Sequence, residues 1–383
     1  IATAKSMVTA IMSIFFKWVI KIMGDEDIEI GSITEAEKEL VEEKELAEVL
    51  KMFAPGTSLR TALDDLLRAR MGALILLENE KTADIIEKSF WINAKFSAQK
   101  LVELAKMDGA IVLTNDGKKI LYANTLLTPS ANIPTKETGT RHKAAERSAR
   151  EKEAVVVAVS ERKNKITLYY KDMKHVMGES SEILRRASET LQVLEKQKDI
   201  FNDLISNLNI LEINNLVTIN DVSAVFQRIE IIKGISDIVK RYLIELGKEG
   251  MIVSMRLKEL TKNLNKDEET IIMDYFGSDY KRIMDMLDKM SFDFLLETSN
   301  ISRMLFEELH DRPVSPKGIR ILGKTNLLEK YINLLVVNFG TLDKIFSAEK
   351  EELYKIIENE ELARHLVQEL DAIKEKIMLG KKI

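Results

Sequence analysis

The chain contains no cysteine, which excludes disulfides, cysteine-ligated zinc and thiol nucleophiles and is compatible with a reducing cytoplasm. Histidine is nearly as scarce. His142, His175, His310 and His365 lack the HxxxH or HxH spacing that puts two imidazoles on one metal, so a histidine-based metal centre is not expected. Only five prolines and 16 glycines interrupt the 383 residues, a composition suited to long helices. Neither a Walker A string nor GxGxxG is present, so the commonest nucleotide folds are poor candidates. The apolar run from Met7 to Met23 carries Lys17 and Lys21 and is shorter than the roughly 20 residues a spanning helix wants. Gly24-Asp25-Glu26-Asp27 follows it where a signal peptide would place a small-residue cleavage site. With the sequence starting at Ile1 rather than Met, residues 1–44 read as an extension, dispensable or lying as an amphipathic surface helix, and no membrane contact is expected.

What is present describes a soluble globular chain. Hydrophobic residues make up 45% and charged residues 31%, and the length suffices for two or three domains with cores of their own. A net charge of −5 argues against nonspecific nucleic-acid binding by the whole surface, while leaving room for a local basic site.

Residues 34–52 and 59–70 read as helices separated by Pro55-Gly56. GALILLE, from Gly72 to Glu78, is a short apolar run bounded by turn residues and reads as a buried strand. An amphipathic helix over 97–107 leads into Asp108-Gly109-Ala110. AIVLT and KKILYANTLL then flank Asn115-Asp116-Gly117 as a hairpin, and AVVVAVS with KITLYYK forms a second. Between the hairpins Thr138-Gly139-Thr140 stands before RHKAAERSAR, a helix with a threonine available as its N-cap. The expected fold is therefore an α/β domain, a mixed sheet covered by helices. From Ser181 to about Arg312 apolar residues recur at three and four spacing, predicting an all-α spine. After Pro313 and Pro316, residues 318–378 read as short helices divided at Asn338-Phe339-Gly340-Thr341 and at Glu358-Asn359-Glu360.

Two strings could carry chemistry. Glu137-Thr138-Gly139-Thr140-Arg141-His142-Lys143 opens a helix, where free backbone N–H groups and the positive end of the dipole favour an anion. Gly139 permits close approach, Arg141 and Lys143 add charge, and the Thr140 hydroxyl is a further donor, so the string can cradle a triphosphate or can simply be a capped helix with solvated cations. Asp108-Gly109-Ala110 is an ordinary turn by composition, but it stands at a helix-to-strand junction, where open sheets collect ligands. A carboxylate there can hold a metal ion or accept a ribose hydroxyl proton.

MDGAIVL, LYANTLL, IPTKETGTRHKAAERSARE and VVVAVSERKNKITLYYK, in this order and spacing, resemble the catalytic domain of diadenylate cyclases, specifically the DNA-integrity-scanning (DisA) type. PGTSLRTALDDLL and YLIELGKEGMIVSMRLKELT extend the resemblance over most of residues 45–265. It implies a cyclase domain at 45–178, a helical linker at 179–312 and a small α-helical domain at 313–383 resembling helix-hairpin-helix. It further implies two ATP molecules held with Mg²⁺ or Mn²⁺ between facing domains and condensed into cyclic di-AMP, in a cytoplasmic homo-oligomer, an octamer, that senses DNA structure. Asp108 would position the metal and help activate the 3′-hydroxyl. Gly109 and Ala110 would lie against the nucleotide, Leu127 and Ser160 near the adenosine. Gly139, Thr140, Arg141, His142 and Lys143 would bind phosphate, with Asp108, Arg141 and His142 as the catalytic set.

The sequence also departs from the family pattern. Lys143 stands where the family has a second arginine, keeping charge and losing a bidentate fork. Ala144 replaces a usual threonine, and Glu161 a basic residue; a carboxylate there resembles the membrane-linked cyclases and could reach the metal, or is an exposed turn charge. The family's C-terminal hairpins seat DNA phosphate on backbone amides. The second hairpin here, Glu358-Asn359-Glu360-Glu361, has no glycine and several carboxylates, whereas Asn338-Phe339-Gly340-Thr341 keeps a hairpin feature and Lys344, Lys374, Lys376, Lys381 and Lys382 could touch phosphate. Branched DNA is accordingly a weak partner or none. The alternatives to a cyclase are a catalytically silent scaffold or nucleotide sensor, and a branched-DNA-binding structural protein.

Overall fold

The computed structural model describes residues 35–87, 90–307 and 312–380. The expectations for the apolar run 7–23 and for Lys381 and Lys382 fall outside these. Among the described residues no helix is long and apolar enough to cross a membrane. These residues form two compact units: 35–189 with 239–255, and 190–238 with 256–380.

The first unit opens with α1 (Glu35–Met52) and α2 (Ser58–Arg68). Thr57 caps α2 by accepting the Arg60 N–H. Strands β1 (Ala73–Leu77), β2 (Ile86–Glu87) and β3 (Phe90–Lys95) precede α3 (Ala98–Leu104). β4 (Ala110–Leu113), β5 (Lys119–Leu127), α4 (Thr140–Lys152), β6 (Val155–Ser160), β7 (Lys165–Tyr170) and β8 (Met173–Met177) follow. The sheet runs β2-β5-β4-β1-β6-β7-β8 with β3 also on β5. Among the described strands only β1 and β4 pair in parallel.

The central strands read ALILL, AIVL and VVVAVS because both their faces are buried. Ile75, Leu77, Ile111, Leu113, Val157 and Val159 pack with α2 and α3 on one face. Leu74, Leu76, Val112, Val156, Ala158 and Tyr169 meet Ala145 and Ala149 of α4 on the other. The mixed sheet and both anticipated hairpins are therefore present. The edge strands β2, β3 and β8 carried no signal used in the sequence: β3 (FWINAK) is mostly exposed, β8 (MKHVM) exposes alternate residues, and neither has a buried apolar run.

The second unit is helical. It takes most of α5 (Ser180–Ile213) and α6 (Ile219–Leu246), part of α7 (Met251–Leu260), then α8 (Leu264–Phe276), α9 (Tyr280–Asp288) and α10 (Thr298–Phe306). Among the described residues after Pro316, five helices follow: α11 (Ile319–Leu322), α12 (Glu329–Phe339), α13 (Leu342–Ser347), α14 (Lys350–Ile357) and α15 (Glu360–Met378). α15, with 19 residues, is longer than the short helices expected.

A buried polar network ties three of these helices. The Arg320 guanidinium donates to Asn209 at 2.6 Å and to Glu212, while Asp274 accepts the backbone N–H groups of Ile319 and Arg320. Tyr275 donates to Glu212 at 2.7 Å. Burial, with Glu212 adding repulsion, pushes the Asp274 carboxyl up to about 7. Removing Arg320 alone would strand buried acids, a change of the 3–5 kcal/mol class.

The two C-terminal hairpins are built differently. α12 ends at Gly340 in the left-handed region (φ 77°), with open space around its Cα. α14 ends at Glu358, also left-handed (φ 54°), and Asn359 then caps α15 by accepting the Leu362 N–H. A side chain there costs about 1 kcal/mol relative to glycine. Glu358→Gly is expected to stabilise the protein by about 1 kcal/mol, read as a rise in the chemical denaturation midpoint; an unchanged or lower midpoint would show that the hairpin is not strained.

Candidate active site

The site begins at the start of α4. Gly139, rather than a threonine, is the N-cap; it offers no side-chain acceptor, and the first turn holds no acidic residue. The expected threonine cap is corrected: Thr140 is already helical and Thr138 lies before the cap position, whereas a cap's oxygen must come from the residue directly before the helix. The first-turn amides and the positive end of the dipole are left to solvent with no competing carboxylate from the helix itself, as an anion site requires.

Strand direction supplies the rest. β1 and β4 are parallel with Leu74 opposite Ala110, so Gly72 and Asp108-Gly109 arrive at the same sheet edge. β6 is antiparallel to β1 with Val159 opposite Ala73, which ends it at Ser160 beside Gly72. β5 is antiparallel to β4 with Thr125 opposite Ala110, so Leu126 and Leu127 leave at that edge too.

Two glycines make this edge possible. Gly109 has φ 93°, and a Cβ there would lie 2.9 Å from the backbone of Asn124 and Thr125, so no larger residue fits. A Cβ on Gly72 would come within 2.2 Å of Arg141 Nη1. The Arg141 guanidinium therefore lies over Gly72, and its Nη2 stands 3.7 Å from Oδ1 of the fully exposed Asp108. Asp108, Gly109 and Arg141 are thus brought together from a turn and a helix terminus.

The other expected residues are distributed around this contact. Ala110 and Leu127 are buried in the core beneath α4. Ser160 Oγ accepts the Lys163 N–H at 3.2 Å within the β6–β7 turn. Gly139, Thr140 and Lys143 are exposed, and Glu161 is an exposed turn residue. His142 turns inward: its Nδ1 is 2.9 Å from the Tyr169 hydroxyl, which donates to Glu137 Oε1 at 3.0 Å, and Lys174 also donates to Glu137. Burial holds the His142 imidazole below its ordinary value despite Glu137. Burial would raise the Glu137 carboxyl, but hydrogen bonds from Lys174 and Tyr169 outweigh this and leave it below the usual range. Burial and Glu137 together push the Tyr169 phenol up, so it stays protonated.

Gly72 and Tyr169 were not singled out in the sequence, and Glu137 opened the phosphate string there without a role of its own. Gly72 had one signal, a glycine directly before a buried strand. Tyr169 had none, because an aromatic in an apolar strand reads as core.

Asp108 suits a hard divalent cation: one exposed carboxylate leaves positions for water and phosphate oxygens, the manner in which Mg²⁺ is usually held. The acidic cluster found among the described residues, Glu230, Glu268 and Asp288, lies in the helical unit and is filled by the Lys233 ammonium at 2.6–3.0 Å.

The two glycines predict different failures. Gly72→Ala should fold with unchanged stability, since only the end of the Arg141 side chain must move away from Asp108. Gly109→Ala should lower stability itself, by about 1–3 kcal/mol. Denaturant melts of both variants check this; equal melts for the two would refute the distinction.

A nucleotide-binding class is what such an edge suggests, and comparison with known proteins narrows it. Residues 60–174 match the family model described as DisA bacterial checkpoint controller nucleotide-binding, and residues 177–308 match the DisA bacterial checkpoint controller linker region. The DNA integrity scanning protein DisA of Acetivibrio thermocellus is 42% identical over 345 residues, covering 88% of this chain and 96% of the relative. That of Clostridium kluyveri is 41% identical over 351 residues, covering 90% and 99%. Among solved structures, DacA from Staphylococcus aureus aligns at 26% identity over 36% of this chain and 88% of that one, with a TM-score of 0.27. The chain belongs to the DisA family, and the resemblance drawn from its motifs holds.

Proposed function

We propose that the protein is a diadenylate cyclase that condenses two ATP molecules into cyclic di-AMP and two pyrophosphates. The observation that carries this most directly is the Asp108–Arg141 pair over Gly72, beside an uncapped helix terminus. Membership in the DisA family supports it. The domain at 45–178 would bind ATP, residues 179–312 would link, and 313–383 would form the helix-hairpin-helix-like end. The setting is cytoplasmic.

In this reading the first-turn amides, with Thr140, Arg141, His142 and Lys143, bind the triphosphate, and Gly139 leaves room for it. Gly109 and Ala110 line the nucleotide, with Leu127 and Ser160 toward the adenosine. Asp108 would hold Mg²⁺ or Mn²⁺, which neutralises phosphate charge when bound. The 3′-oxygen of one ATP bonds to the α-phosphorus of the other as the bond to pyrophosphate breaks, and Asp108 accepts the hydroxyl proton. Such chemistry depends on in-line positioning and charge neutralisation. Two facing domains are needed because each ATP is both nucleophile and electrophile, so the active form is a homo-oligomer, an octamer on the family pattern.

Incubation of the purified protein with ATP and Mn²⁺, with mass detection of cyclic di-AMP, tests the proposal. Product is expected from the parent and is expected to vanish in Asp108→Asn, which removes charge at nearly constant shape. Absence of product from the parent would leave a nucleotide-binding scaffold. Full specific activity from a preparation held monomeric during the assay would refute the shared site.

For the C-terminal domain we propose weak or no binding of branched DNA. Gly340 leaves space for a phosphate, but the second hairpin presents Glu358, Glu360 and Glu361, all exposed, where counterion release should supply the favourable term. Glu358→Gly with Glu360→Gly should strengthen binding to a four-way junction at low salt. Tight, salt-sensitive binding by the parent would overturn this.

A further inference from the structure

Tyr169 is fully buried on β7, yet its hydroxyl meets two polar groups from elsewhere in the chain, His142 on α4 and Glu137 in the loop before it. A phenol has one proton to give. Glu137 is ionised and can only accept, so at 3.0 Å that proton must point to Glu137 Oε1. The Tyr169 oxygen is then left with lone pairs toward His142 Nδ1 at 2.9 Å, and this contact is a hydrogen bond only if Nδ1 carries a hydrogen. Lys174 locks the far end of the chain by donating to the same carboxylate, and the edge-to-face packing of the two rings limits rotation of the imidazole.

The consequence falls on the other ring nitrogen. With Nδ1 protonated, neutral His142 has a bare lone pair on Nε2 and cannot donate from it to an anion. We propose that Tyr169 and Glu137 are positioning residues that hold His142 as the Nδ1–H tautomer, so that it engages a triphosphate only as imidazolium and ATP binding takes up a proton. This rests on the assignment of His142 to phosphate made above.

The surroundings agree. Burial, together with Lys174, Lys163 and Arg141, disfavours the imidazolium in the absence of ligand, and only Glu137 opposes them. The imidazole is therefore mostly neutral at pH 8, and a bound polyphosphate supplies the negative charge that reverses the balance. Above the free-protein pKa, binding then weakens as pH rises, because each step costs more to protonate the ring.

Two readouts test this in the full-length protein. The first needs no nucleotide: ¹⁵N shifts of the imidazoles at pH 8, with the His142 signals assigned by their loss in His142→Gln. The parent should show the Nδ1–H form. Glu137→Ala, a change in a loop that leaves the core intact, frees the tyrosine proton for Nδ1 and should convert His142 to Nε2–H; Tyr169→Phe should do the same. The second compares calorimetric heats of ATP binding at pH 8 in buffers of different ionisation enthalpy. The parent should take up roughly one proton, and Glu137→Ala distinctly less, since an Nε2–H imidazole donates without protonation. An Nε2–H signal in the parent, or retention of Nδ1–H in both variants, would overturn the proposal. An Nδ1–H parent that binds no ATP would instead count against the phosphate role of His142 and leave the tautomer standing.

Discussion

Parallel pairing of β1 with β4, inside an otherwise antiparallel sheet, is the constraint on which the site depends. A parallel pair cannot be joined by a tight turn, so residues 78–109 must cross over, and they return the chain to the edge where β1 began. Gly72 and Asp108-Gly109 are neighbours for that reason, although they lie far apart in sequence. The antiparallel partners β5 and β6 then end where β1 and β4 start, so four strand ends share one edge.

Packing at that edge leaves no slack. Gly109 sits so close to Asn124 and Thr125 that no Cβ fits, and the missing Cβ of Gly72 is the space occupied by the Arg141 guanidinium. α4 is anchored by Ala145 and Ala149 in the core and by its own loop, through Arg147 to the Ile133 carbonyl and Arg150 to the Pro134 carbonyl. Its exposed N-terminus is thereby held rigidly over the sheet edge, as a site needs if electrostatic positioning is its main device.

Polarity is distributed differently in the two units. In the helical unit, charges such as Arg320 with Glu212 and Lys233 with Glu230 and Glu268 are turned against one another and paired. At the α4 terminus, amides, Arg141 and Asp108 face solvent with only one long ion pair among them. Groups that hold a fold are turned inward and paired, whereas these remain open to a ligand.

The sequence by itself determined the elements whose physics is local. Continuous apolar runs marked β1, β4 and β6, Asn-Asp-Gly marked the hairpin, and helical periodicity marked the region after Ser180. Motif order also identified the family and nominated Asp108, Gly109 and the Gly139–Lys143 string. Tertiary structure decided what depends on neighbours distant in the chain. The edge strands β2, β3 and β8 exist because partners complete their hydrogen bonds, not because their residues demand it. Gly72 matters only once Arg141 lies over it, and Tyr169 becomes more than a core aromatic only when folding sets its hydroxyl between His142 and Glu137. A side chain's local pattern records its burial, but its hydrogen-bond partners are fixed by strand register, which no single segment encodes.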